Sequence, residues 1–220
     1  MNRRSPRALT AAIAVGTAAS QAAAAPASRA EPAQKLTDGA YGRFDGDLDL
    51  SLSAGGALVR GASRIALTGR GFYLGTTGIY VGYDEAFTST TDSPPRSLAF
   101  GLGLRPFFLP RWGNDLDRGP AVLDLTLDSI TFDVGVLLSA NERRRFEERP
   151  GIEMALGAEV PILGEASGPW IGVRGALRWR ASELAGDGAS PPLAPVIFLT
   201  LGWHFIVNAH IVDAGDEALR

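Results

Sequence analysis

Cysteine is absent from the 220 residues, which excludes a disulfide framework, a thiolate zinc site, a thiol nucleophile and a cysteine-linked lipid anchor. Lysine is nearly absent: Lys35 is the single one, so positive charge is carried by arginine. Histidine occurs only at His204 and His210. A metal site built on both would need a carboxylate such as Asp213 or Asp216 to converge with them, but the tail that holds these residues has neither helical nor strand periodicity. No metal and no cofactor is expected. No glycine recurs with a three-residue period and no longer repeat is present, so collagen and solenoids are excluded. Gly69-Arg70-Gly71 lacks the Lys-Ser/Thr of a phosphate loop and is followed by a strand pattern, not a helix.

What is present begins with a basic start at Arg3, Arg4 and Arg7, an apolar stretch from Ala8 to Ala19 and small residues at Ala22, Ala23 and Ala24. This order predicts a secretory signal peptide over residues 1–24; the bland alternative is an alanine-rich disordered tail. Its removal leaves 18 basic against 24 acidic side chains and a formal charge of −6, which argues against a nucleic-acid partner. Residues 25–41 read as a flexible, polar lead-in. Beyond the leader no apolar run reaches the roughly 18 residues of a membrane-crossing helix. A β-barrel span is a much weaker signal, about ten residues of alternating character, and has to be sought by counting.

From Gly42 the period is two. Leu48, Leu50 and Leu52 oppose Asp47, Asp49, Ser51 and Ser53, a pattern no amphipathic helix produces. Gly55-Gly56 is expected to turn the chain, and Thr68 to Gly71 to turn it again. Val59, Ile65 and Leu67 stand against Arg60, Arg64 and Thr68; Tyr73, Ile79, Val81 and Tyr83 against Gly78, Tyr80 and Gly82; Leu98, Phe100, Leu102 and Leu104 against Ala99, Gly101, Gly103 and Arg105. After a long connection over residues 106–120 comes one ambiguous segment. Leu123, Leu125 and Leu127 alternate with Asp124, Thr126 and Asp128, and then the phase flips to Ile130, Phe132, Val134 and Val136. The flip marks a bulge, a turn, or a short helix starting at Pro120 that leads into a strand. Three further runs follow, over 152–160, 170–180 and 194–205. The expected count is eight strands, or ten if residues 121–138 form a hairpin.

Two architectures accept this alternation: a soluble sandwich or lipocalin-like barrel with the leucines inside, and a membrane barrel with them outside. The faces opposite the leucines mix glycine and alanine with isolated charges. Small residues punctuated by charges suit a narrow lumen in which opposite signs pair, and the expected set is Asp47, Asp49, Arg60, Arg64, Arg105, Glu153, Glu159, Arg174 and Arg178. Aromatic residues fall at run ends, as in the headgroup girdles of barrels, with Tyr73 and Trp203 at the inner edge and Tyr83 and Trp179 at the outer edge. The alternation is porin-like in kind. An eight-stranded lumen, however, is filled by side chains, so conduction is not expected.

Thr200-Leu201-Gly202-Trp203-His204-Phe205 resembles the closing strand of the small outer-membrane barrels of the OmpX/OmpA transmembrane-domain type. The resemblance implies an all-β fold, a closed antiparallel up-and-down transmembrane β-barrel spanning residues 42–207 in the outer membrane. It also implies that the barrel-assembly machinery reads Gly202, Trp203 and Phe205. In that family the phenylalanine ends the chain, whereas an acidic tail over residues 208–220 follows here. The expected role is structural or surface-binding through the outer loops, in a monomer surrounded by outer-membrane lipid, with no enzymatic activity. Arg143, Arg144 and Arg145 are candidates for contact with lipopolysaccharide phosphates, although Glu142, Glu147 and Glu148 balance them. The alternatives are a soluble periplasmic barrel with an apolar ligand and a barrel hydrolase that modifies lipid A through His204.

Overall fold

The structure is a computed structural model that describes residues 41–59, 62–87, 94–141, 143, 145–184 and 194–209. The leader, the lead-in up to residue 40, Arg60, Arg144, His210 and the rest of the tail lie outside the described residues. Eight strands, β1 (Leu48–Val59), β2 (Ala62–Tyr73), β3 (Thr77–Ala86), β4 (Arg96–Leu104), β5 (Thr131–Ser139), β6 (Gly151–Pro161), β7 (Gly168–Trp179) and β8 (Ala194–Val207), pair in sequence order. Every pair is antiparallel, and β8 returns to β1 from Leu48↔Val207 to Val59↔Val196. The result is a closed up-and-down barrel, in which no strand edge is left unpaired. We call the end where β1 begins and β8 finishes the base, and the opposite end the rim.

Side-chain alternation maps directly onto inside and outside, but with the polarity of a soluble protein reversed. Leu52 is 65% exposed and Leu199 63%, whereas Glu153 is fully buried. Inside, apolar packing is limited to small groups: Ala57, Ala66, Ala155, Ala176, Val196 and Phe198 form one cluster, and Tyr80, Ala99 and Leu137 another. Alanine and glycine keep the inner wall low, leaving room for long charged side chains.

The ambiguous segment is a helix followed by a strand, which fixes the count at eight. Pro120 precedes α2 (Ala121–Asp128), whose first amides bond back to the Pro120 carbonyl, Leu123 N at 2.8 Å and Asp124 N at 3.1 Å. The phase flip is the change of period where α2 gives way to β5. A shorter helix, α1 (Phe108–Gly113), precedes it, and both lie in the connection at the base. Ser129 Oγ accepts the Glu159 amide at 2.8 Å and ties the end of α2 to β6. At the rim, the β7–β8 connection opens with the one-turn α3 (Ala181–Leu184).

Two expected turns are absent. Gly55 and Gly56 lie inside β1, and Thr68 to Gly71 continue β2 to Tyr73. The chain reverses instead at Leu74-Gly75, where φ is +45° and +62° and the Thr76 amide bonds to the Tyr73 carbonyl at 3.0 Å. Two consecutive positive φ values give the primed turn geometry that matches strand twist. Gly55 serves close packing: a Cβ there would sit 2.0 Å from the Leu199 carbonyl oxygen, whereas a Cβ on Gly175 would meet nothing within 4 Å. Replacing Gly55 by valine is therefore expected to cost about 1–3 kcal/mol. Gly175→Val is expected to leave stability unchanged. The temperature at which the folded band is lost in unboiled-sample electrophoresis measures both.

Candidate functional site in the barrel lumen

Five arginines and five carboxylates, none exposed, alternate along the lumen in one chain of ion pairs. From the rim, Arg64 pairs with Asp84, Asp84 with Arg178 (2.8 Å), Arg178 with Glu153 (2.6 Å), Glu153 with Arg174 (2.5 Å) and Arg174 with Asp133 (2.9 Å). The chain continues from Asp133 to Arg70 (3.2 Å), Glu159 (3.3 Å), Arg105 (3.7 Å) and Asp49. His204 closes the base end, with Nδ1 3.2 Å from Asp49 and Nε2 3.2 Å from Glu159. Glu153 is fully buried: both oxygens are taken by guanidinium groups, and the Tyr80 hydroxyl donates to Oε1 at 3.3 Å. Guanidinium planes also stack on inward rings. Arg105 lies 4.1 Å from the Phe72 centroid, while Arg174 and Arg178 each lie 5.3 Å from that of Phe198. Two interior voids of roughly 20 and 10 Å³ sit beside this network, each suited to about one water.

Of the lumen residues expected from the sequence, Asp49, Arg64, Arg105, Glu153, Glu159, Arg174 and Arg178 are brought together. Asp47 is not among them. It precedes β1 at the base, half-buried, and accepts a hydrogen bond from the Ala209 amide. Arg60 lies outside the described residues. Sequence reasoning missed Arg70, Asp84, Asp133 and His204, as well as the inward rings Phe72 and Phe198. The strand parity that places Glu153 inside places all six inside too. Arg70 was hidden by the glycines on both sides of it, and Asp84 by its place just past Tyr83, the last residue of the legible alternation, where β3 still runs to Ala86.

The base is sealed by the β4–β5 connection. Arg111, on α1, contacts Asp117 (3.0 Å), Asp124 (2.6 Å) and Asp128 (3.1 Å), and Arg43 also pairs with Asp128. Tyr41 donates from its hydroxyl to Asp124 at 3.0 Å. Phe44 packs against Phe108 and Trp112, with centroids at 5.6 and 5.1 Å, and Arg43 lies over the Phe108 ring. Burial raises the Asp128 carboxyl above its usual pKa against the pull of Arg43 and Arg111, and burial lowers the Arg43 guanidinium against the pull of Asp128. Burial also acts to lower Arg111, but Asp128, Asp117 and Asp124 outweigh it and hold that group above its ordinary value.

The girdle residues Tyr73, Tyr83, Trp179 and Trp203 all sit at outward positions near strand ends, and the Tyr83 hydroxyl donates to Glu85 at 2.8 Å. Trp203 and Phe205 face outward on β8, whereas Gly202 faces inward where a Cβ would meet Ser53 at 2.7 Å. The strand runs past Phe205 to Val207. Arg143 and Arg145 are exposed on the β5–β6 rim loop. His204 lies in the lumen at the base, stacked on Trp170 with centroids 4.6 Å apart and held between two carboxylates.

Glu153 generates the sharpest energetic test. Glu153→Gln leaves Arg174 and Arg178 sharing one neutral amide inside the barrel, and breaking a buried pair from one side costs about 3–5 kcal/mol. Urea unfolding from lipid vesicles should show that loss. Arg118→Ala, which removes an exposed pair with Asp115, should leave the midpoint in place.

No protein-family model matches the sequence, and no curated protein matches it. Among solved structures, the chain is similar to the crystal structure of the outer membrane enzyme PagL, with a TM-score of 0.35 and 15% identity over 72% of this chain and 99% of that one. The expectation that the chain has no enzymatic activity is corrected by this finding, since the matched barrel is itself an enzyme. At this level of similarity no activity and no catalytic residue passes from one chain to the other.

Proposed function

We propose that the chain is an integral outer-membrane barrel with a sealed lumen, its base in the periplasm and its rim outside, offering its rim loops as a binding surface. The observation that carries this reading is the reversal of polarity: leucine, isoleucine and valine cover the outside of every strand while the ion-pair chain fills the inside. In water such an exterior would be a continuous apolar patch far above the roughly 300–600 Å² that monomeric soluble proteins expose. In a bilayer it is the required surface, and closure satisfies the backbone without water.

The orientation follows from connection lengths. The connections 87–95 and 140–150 lie at the rim and the short turns 74–76 and 162–167 at the base, as in such barrels, while the longest connection, 105–130, lies at the base and carries α1 and α2. The exposed Arg143 and Arg145 supply a guanidinium pair for lipopolysaccharide phosphates at that face. The OmpX/OmpA-like pattern of β8, with Trp203 and Phe205 on the lipid side, supports its reading by the assembly machinery. The leader over residues 1–24 supplies export.

A soluble barrel with an apolar interior ligand requires the opposite polarity. Spin labels at Leu50, Leu102 and Leu199 discriminate the two. In reconstituted vesicles all three are expected to be relaxed by lipid-dissolved oxygen, and the protein to stay with the membrane in carbonate. Labels that are shielded from oxygen and packed against one another would overturn the membrane reading. In planar bilayers the protein is expected to show no steady conductance.

A further inference from the structure

The helix α2 is amphipathic in reverse. Asp124, Leu125 and Asp128 are buried on the side facing the barrel, where Arg111 and Arg43 hold the two carboxylates, whereas Val122, Leu123 and Leu127 face away from it. A helix lying in water against a protein places its carboxylates outward and its leucines inward. The exposed apolar face does not stop at α2. Val122 lies beside Gly164 in the β6–β7 turn, and that turn adds Ile162 and Leu163, the latter 66% exposed. Ile162 stands two residues beyond Val160 on the same outward face of β6, so apolar side chains continue from the strand exterior through Ile162 and Leu163 to Val122, with Glu165 the exposed carboxylate of the turn.

We propose that α2 and the β6–β7 turn form a shoulder embedded in the acyl chains of the periplasmic leaflet, extending the membrane-facing belt below the strand ends on one side of the barrel. The proposal rests on the membrane reading given above and names its occupant as bilayer lipid. Two observations favour lipid over a protein partner or a second copy of the chain. The apolar face is continuous with the strand exterior, and the Asp124 and Asp128 carboxylates, which an aqueous helix would expose, are turned inward and neutralised. Trp112, half-exposed on the neighbouring α1, supplies the amphipathic ring usual at the headgroup level.

The absence of cysteine makes the test clean, because each introduced thiol is the only one. Nitroxides at Leu123→Cys, Leu127→Cys and Leu163→Cys are compared in vesicles with Leu102→Cys on a strand and Arg118→Cys, whose side chain is exposed beside the base. The three shoulder labels are expected to resemble Leu102, with an oxygen-to-nickel-chelate accessibility ratio several-fold above that of Arg118. Shoulder labels that match Arg118 while Leu102 stays lipid-exposed overturn the shoulder and leave the barrel reading intact; a chelate-accessible Leu102 overturns the barrel reading itself. Spin–spin broadening at Leu127 would mean that a second copy covers the face and would also overturn the proposal. If one helix variant fails to give the folded, heat-modifiable band, Leu163→Cys in the turn carries the same comparison.

Discussion

Everything in this molecule depends on charges that cannot reach water finding one another. A closed eight-stranded barrel gives each strand one inward and one outward face, and an outward face made of leucine, isoleucine and valine leaves the ionic groups between the strand ends to the interior. An isolated ion there would cost several kcal/mol even after relaxation. The chain meets this constraint by alternation: each carboxylate from Asp84 to Glu159 touches two arginines, and each arginine from Arg178 to Arg105 touches two carboxylates. The pairs cross strands far apart in sequence, so the network is complete only when the barrel is closed. Arg64 and Asp84 join β2 to β3, Arg178 reaches β6 and β3, and Arg105 reaches β1 and β6. Closing the barrel and neutralising its interior are one event.

The choice of arginine follows from the same geometry. A lysine ammonium is a compact point charge that needs its own solvation, whereas guanidinium is planar, spreads its charge and offers donors in several directions. Arg174 uses two of those directions for Asp133 and Glu153 while its plane lies near Tyr80 and Phe198. Arg105 does the same between Asp49, Glu159 and Phe72. The inward aromatics thus fill volume that would otherwise be void and provide faces on which the cations rest.

The alternation, the inside-out assignment and most of the lumen set are legible in the sequence because strand parity is a strict rule: once Leu50 and Leu52 face out, Asp49 and Ser53 face in. What was not legible lies where another signal competed with parity. Glycine ordinarily punctuates turns, so Gly69 and Gly71 masked Arg70, and Gly55-Gly56 suggested a reversal in the middle of β1. There Gly55 is demanded by the close approach of Leu199, a tertiary contact that no local pattern contains. The true reversal places Leu74 at positive φ, where its residue type gives no hint. Parity also placed Asp47 in the lumen, whereas β1 begins one residue later and Asp47 stays at the base, bonded to the Ala209 amide. The leucine-aspartate alternation of residues 123–128 satisfied both a strand and a helix, and only Pro120 favoured the helix.

The ambiguity of that segment has a physical content. In Leu123-Asp124-Leu125-Thr126-Leu127-Asp128 the helical spacing of four puts Asp124 and Asp128 on one face and Leu123 and Leu127 on the other. The packing of α2 could have turned either face to the barrel. The lumen decides, because its base ends in Arg43 and Arg111, and a guanidinium at the mouth of a sealed barrel needs a carboxylate more than a helix needs water on its acidic side. Burial, with the neighbouring Asp117, works against this accommodation and raises the Asp128 carboxyl against the pull of Arg43 and Arg111. The helix therefore inherits the inverted polarity of the strands it joins. The rule that built the barrel wall, charge inward and hydrocarbon outward, continues through the one connection long enough to have followed a different rule.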